Sequence, residues 1–208
     1  MKRSSLMLAT ALFACAQSRG MGGSSSSGSS SGWETLVDGE AGLENWNRVG
    51  DANWRVEGGA IVADAGKGGY LVSKRSYQDF EIRAEFYAEA DTNSGIYFRC
   101  NDAQKITSEF CYEANIWDIR PEPKYGTGAI VNVAAVPVPL ANKAGGKWNT
   151  YEVMARGQQL TVKLNGAQTV SVQDGKHAAG PFALQYGPGV NGVQGGGIKW
   201  RKVQIRPL

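Results

Sequence analysis

The stretch Phe80–Arg99, "FEIRAEFYAEADTNSGIYFR", decides the fold class. In an extended chain successive side chains point to opposite sides. Phe80, Ile82, Ala84 and Phe86 therefore share one face. Glu81, Arg83, Glu85 and Tyr87 share the other. After a short polar turn the pattern resumes, with Ile96 and Phe98 inward and Tyr97 and Arg99 outward. This is a two-residue period, and no helix of useful length fits it.

The same period spreads in both directions. In "SEFCYEANIWDIR", Ser108–Arg120, the residues Tyr112, Ala114 and Ile116 alternate with Glu113, Asn115 and Trp117. "WRVEGGAIVAD" reads as two short strands about a Gly-Gly turn. "TYEVMARGQQLTVKLNGAQTVSV" reads as three strands with turns at Arg156-Gly157 and Asn165-Gly166. "GGIKWRKVQIRPL" supplies a closing strand. With 28 glycines and 10 % aromatic residues, the chain predicts an all-β domain of two packed antiparallel sheets.

At 208 residues the chain is long enough for one domain with a sizeable core. Its net charge of +3 is small and its basic residues are scattered among acids, which excludes a nucleic-acid footprint. The first 15 residues read as an export signal. "MKR" is a basic start, "LMLATALFA" an apolar run too short to span a bilayer, and "LFAC" ends on Cys15 in the manner of a bacterial lipobox. The alternative is an ordinary cleaved secretory signal. Residues 16–32, with "MGGSSSSGSSSG", read as a flexible tether reaching on the order of 20 Å. Residues 33–208 are the β-sandwich. The expectation is an exported protein, held at a membrane through a lipid on Cys15 or else periplasmic or secreted.

Two cysteines remain, Cys100 and Cys111, flanking a loop in an oxidising compartment. Strand parity opposes the simplest bridge. Cys100 continues the inward set of Ile96 and Phe98, whereas Cys111 shares the parity of Glu113. Directly paired residues must share a face, so a disulfide here requires a bulge or a strand end.

The outward rows are charged and aromatic: Glu81, Arg83 and Glu85; Tyr97 and Arg99; Glu113, Asn115 and Trp117. If their strands are neighbours, these residues form one polar, aromatic patch suited to sugar, with rings stacking on pyranose faces and polar groups bonding hydroxyls. The alternative is a solvated face with Glu–Arg pairs, each contributing about 0.2–1 kcal/mol. Tyr125, in the long loop "IRPEPKYGTGA", is a further candidate to stack on a ring.

The ordered set "ETLVDGEAGLENW", "ANWRVEGGAIVAD", "GGYLVSKRSYQDFEIRAEFYAEADTNSGIYFR", "CYEANIWD", "GKWNTYEVMARGQQLTVKLNG" and "IKWRKVQIRPL" resembles the 3-keto-disaccharide hydrolase domain family over residues 33–208. The resemblance implies a concanavalin A-like, jelly-roll sandwich acting on glycosides whose sugar carries a 3-keto group. A ketone at C3 acidifies the C2 proton; a base removes it, the aglycone leaves from C1, and water adds back. Such a route needs a base, a group to hold the enolate oxygen, and an acid.

On this reading Glu113 is the base or a metal ligand and Arg99 the oxyanion holder. Tyr97, Asn115, Trp117, Glu81, Arg83 and Tyr125 bind substrate. The resemblance also implies that a divalent cation can serve as the electrophile. With His177 the only histidine, a metal would need oxygen ligands from Glu81, Glu113 and Asp118. Asp118 has inward parity, so strand capping is its alternative role. The competing function is a non-catalytic carbohydrate-binding module at the cell surface, with a purely adhesive domain third.

Overall fold

The computed structural model describes Met1 and residues 32–208; the expected signal, Cys15 and nearly all of the tether lie outside the described residues. Among the described residues there is no α-helix, and thirteen strands form two antiparallel sheets. The strands are β1 (Glu34–Asp38), β2 (Trp46–Gly50), β3 (Arg55–Glu57), β4 (Ala60–Ala63), β5 (Gly69–Ser73), β6 (Phe80–Ala88) and β7 (Ser94–Phe98). They continue with β8 (Tyr112–Ile116), β9 (Lys147–Arg156), β10 (Gln159–Leu164), β11 (Ala167–Gln173), β12 (Ala183–Tyr186) and β13 (Ile198–Pro207).

The larger sheet runs β11-β10-β9-β6-β13-β4-β3, with β1 added beside β13; the smaller runs β2-β5-β12-β7-β8. The expected hairpins are present. Gly58 and Gly59 turn β3 into β4, and Asn165-Gly166 turns β10 into β11, all four with positive φ. Asn-Gly tolerates that left-handed pair of conformations, whose twist matches that of the flanking strands.

The alternation assigned the faces correctly. Phe80, Ile82, Ala84 and Phe86 meet Ile96, Phe98, Tyr112, Ala114 and Ile116 in the core between the sheets. Tyr151 of β9 pins the layers together. Its hydroxyl donates to the Asn115 carbonyl on β8 and accepts from the Gly128 amide at 2.8 Å. Trp46, Trp54 and Trp200 are core residues, while Trp148 is 37 % exposed on the larger sheet.

Where the sequence misleads is in which strands are neighbours. β6 lies in the larger sheet, whereas β7 and β8 lie in the smaller one. Glu81, Arg83 and Glu85 therefore face outward on the opposite side of the sandwich from Tyr97, Glu113 and Asn115. They do not join one patch. Glu81 instead pairs with Arg206, Glu85 with Arg201 at 2.6 Å, and the Arg83 guanidinium lies 4.6 Å from the Trp33 ring centre.

Cys100 and Cys111 form a disulfide. The break in alternation that this bridge requires comes at the end of β7, where Arg99 has a left-handed φ of 52°. A residue in that region breaks strand alternation. Cys100 thereby leaves the core face and joins Tyr97, Val72, Cys111 and Ala183 in a second apolar cluster. That cluster lies on the far face of the smaller sheet, where the loop after β7 covers it with Ile106 and Phe110.

Candidate functional site

The far face of the smaller sheet carries the chemistry. β7 and β8 pair so that Tyr97 sits opposite Glu113 and Gly95 opposite Asn115. Glu113 is only 5 % exposed although it faces away from the core. Tyr97, Gly95 and the Arg120 guanidinium lie around its carboxylate. That burial pushes its carboxyl up from the usual carboxylate range to about 7; the Tyr97 hydroxyl and the Arg120 guanidinium pull it part of the way back down. The phenol of Tyr97 is driven well above its ordinary value, chiefly by burial and then by the Glu113 charge, so it stays protonated at neutral pH.

Two strands complete this face. β12 supplies Gln185, whose amide nitrogen lies 3.4 Å from the Tyr97 hydroxyl. β5 supplies Tyr70, whose ring meets Tyr97 edge-on at 5.4 Å. Gly95 makes room for the acid. A Cβ there would lie 3.4 Å from Glu113 Cγ and 3.5 Å from Oε1, so a larger side chain would occupy the carboxylate's place. The position also presses a Cβ to 3.0 Å from the Ala114 carbonyl.

Asn115 is fully buried, and its amide nitrogen donates to the Tyr125 carbonyl at 2.6 Å. Tyr125 thus reaches β8 through its backbone. Its ring is half-buried against the core, with the Lys124 ammonium 4.9 Å from its centre. Trp117 continues the Glu113 face, with the Arg120 guanidinium 5.6 Å from its ring centre. Arg120, Gln185, Tyr70 and Gly95 are the members of this face that the sequence reading missed. β12 is buried along its whole length, so no in-out alternation marked Gln185.

Arg99 is not among them. It is 1 % exposed and engaged in structure. Its Nε donates to the Gln78 carbonyl at 2.8 Å, one terminal nitrogen to the Gly157 and His177 carbonyls at 2.7 and 3.3 Å, and the other to Asp79 at 3.0 Å. With every arm of the fork occupied by loops at one end of the sandwich, it cannot hold an enolate oxygen. The same left-handed backbone that redirects Cys100 places it there.

The expected metal ligands do not assemble. Glu81 is on the other sheet. Asp118 accepts from Thr127 Oγ1 at 2.6 Å and from the Ala144 and Gly145 amides at 3.0 and 2.9 Å, which is the loop-capping role. His177 is buried, with Nδ1 3.0 Å from the Asn101 amide nitrogen. Among the described residues no three His, Cys, Asp or Glu side chains cluster to hold an ion. This donor set does not fit a metal. A separate cavity of about 110 Å³, between Trp33 and the β6 and β9 side chains, lies on the outer face of the larger sheet and does not touch Glu113.

Residues 32–206 match the model of the 3-keto-alpha-glucoside-1,2-lyase-like domain. The chain belongs to this lyase-like family. No curated protein is significantly similar to it. Among solved structures, the lyase-like domain is similar to a candidate glycosyl hydrolase of Parabacteroides distasonis, at 23 % identity and a TM-score of 0.66, covering 85 % of this chain and 99 % of that one. It is also similar to the carbohydrate binding module CBM66 of Bacillus subtilis, at 17 % identity and 0.54, covering 84 % and 95 %. The carbohydrate recognition domain of Emp47p follows at 14 % and 0.52, covering 86 % and 96 %. At these identities the likenesses establish the sandwich fold, which is of the concanavalin- and galectin-like kind.

Proposed function

We propose that the domain cleaves glycosides whose sugar is oxidised to a ketone at C3, with Glu113 as the base. The single observation that carries the reading is the Glu113 carboxyl: buried, beside a protonated phenol, and poised to ionise near pH 7. A base is most effective when it ionises near the working pH. In the proposed route Glu113 takes the C2 proton. The C–H electron pair becomes the C2=C3 enolate; as the C3 carbonyl re-forms, a C1=C2 double bond forms and the C1–O bond breaks, the aglycone leaving as the alcohol with the proton that Glu113 took. Water then adds across the resulting double bond, completing a net hydrolysis. The Tyr97 hydroxyl, still protonated at neutral pH, orients the carboxylate. Amides from Gln185 and Asn115 flank the same ring of residues.

The test is aglycone release from a panel of 3-keto-glucosides as a function of pH. Glu113 must be ionised to act, so kcat/KM is expected to rise with pH and level off above an inflection near 7. An inflection near 4.5 would remove Glu113 from the role. Absence of release across the whole panel would overturn the reaction, and glycan binding without release would make this a binding module.

Export follows from the sequence as part of the same proposal, because a surface-tethered domain meets glycosides outside the cytoplasm. Cys15→Ser is expected to move the protein out of the membrane fraction while leaving its thermal melt unchanged. The measurement is fractionation followed by melting. A wild-type protein already wholly soluble would end the lipid reading.

A further inference from the structure

Gln185 is the one polar side chain on the central strand of the smaller sheet that faces the Glu113 site. It is 7 % exposed, and its amide oxygen is buried without a hydrogen-bond partner among the described residues. A buried polar atom left in that state costs stability and calls for an explanation. The amide nitrogen is held at 3.4 Å from the Tyr97 hydroxyl, so the side chain is oriented rather than free to turn toward another partner.

The positions beside it are held by glycines, and at Gly187 a side chain would press on its amide. Leu184 pairs with Ile96, and Asn93 bridges Gly187, which sets Gln185 beside Gly95 in the register between β12 and β7. Gly187 follows on the same face. A Cβ there would stand 3.2 Å from the Gln185 amide nitrogen and 2.8 Å from that of Asn93. Two residues without side chains thus flank an oriented amide with one unused atom, next to the candidate base.

We propose that Gln185 recognises a sugar hydroxyl, its amide oxygen accepting from the substrate while Tyr97 fixes its nitrogen. The proposal rests on the Glu113 face being the glycoside site. The free amide oxygen only accepts, so its partner must donate, as a hydroxyl does. A carboxylate or an ester oxygen could not donate to it. The site therefore selects neutral glycosides with an unmodified hydroxyl at that position.

The test uses Glu113→Gln protein, which holds substrate without consuming it, and calorimetric titration with a 3-keto-glucoside and its C2, C4 and C6 deoxy analogues. One deoxy analogue is expected to bind roughly 10- to 100-fold more weakly, the cost of one buried hydrogen bond. Adding Gln185→Met, which keeps the volume but has no amide, should weaken the parent sugar by a similar factor. It should also erase the penalty for that one analogue. Equal penalties with and without the amide would overturn the proposal, as would failure of every sugar to bind. Should the Met variant melt early, Gln185→Asn, which retracts the amide, is read in the same way. Because binding is the readout, sugar recognition through Gln185 is scored even if no aglycone is ever released.

Discussion

Glu113→Gln is expected to lower aglycone release by about 10²–10⁴-fold, the range for losing a general base, while raising thermal stability above neutral pH. The second half distinguishes this site from an ordinary sheet face. Burial raises the folded carboxyl from 4.5 to about 7. The unfolded chain therefore ionises first as pH rises. Between those two values the unfolded state gains from ionisation and the folded state does not, so stability falls across that window and remains reduced above 7. Glutamine has no such dependence. The melting difference between mutant and wild type should be small at pH 4, grow through pH 7, and reach up to about 3 kcal/mol at pH 8. Melting and aglycone release measured on one preparation check both halves. Full activity would reduce Glu113 to a bystander. A pH-independent loss of stability would mean that the amide cannot occupy the cradle left by Gly95.

The converse is expected of Arg99. Arg99→Met should cost about 3–5 kcal/mol, because several acceptors around a buried fork lose their donor at about 1–3 kcal/mol each. It would strand the Gln78, Gly157 and His177 carbonyls, while half-buried Asp79 keeps the Gly157 amide. Against a typical domain stability of about 5–15 kcal/mol, much of that variant would unfold. Lysine should not rescue it, because a point charge cannot reproduce a planar fork that reaches four acceptors. Denaturant unfolding is the measurement. A stable Arg99→Met protein that has lost only turnover would return Arg99 to the oxyanion role.

These two residues mark the boundary of what could be read from the chain. Glu113 was legible because the period of two is local. Once Tyr112, Ala114 and Ile116 are inward, the geometry of the extended chain puts Glu113 and Asn115 on the other face. Arg99 was misread because one left-handed backbone angle at the end of β7 ends the alternation. A non-glycine residue in that region is set by surroundings, here the four-way guanidinium contact, and has no local signature in the residues before it. The same angle supplies the strand end that the Cys100–Cys111 disulfide requires.

Gln185 and Tyr70 were missed for a different reason. β12 is buried along all four residues and β5 along most of five, so neither shows the in-out pattern that identified β6. Runs buried on both faces carry no two-residue period to find.

The sequence by itself determined the class of fold, the face each residue of β6, β7 and β8 presents, the Asn-Gly hairpin and the membership of the family. All of these depend on spacing over a few residues or on the ordered set of such segments. Only the tertiary structure decided which strands lie side by side, and with that it divided Glu81 and Arg83 from Glu113. Strand order is set by how two hydrophobic faces close over a shared core, a long-range packing outcome in which residues far apart along the chain, such as Tyr97, Glu113 and Gln185, become neighbours.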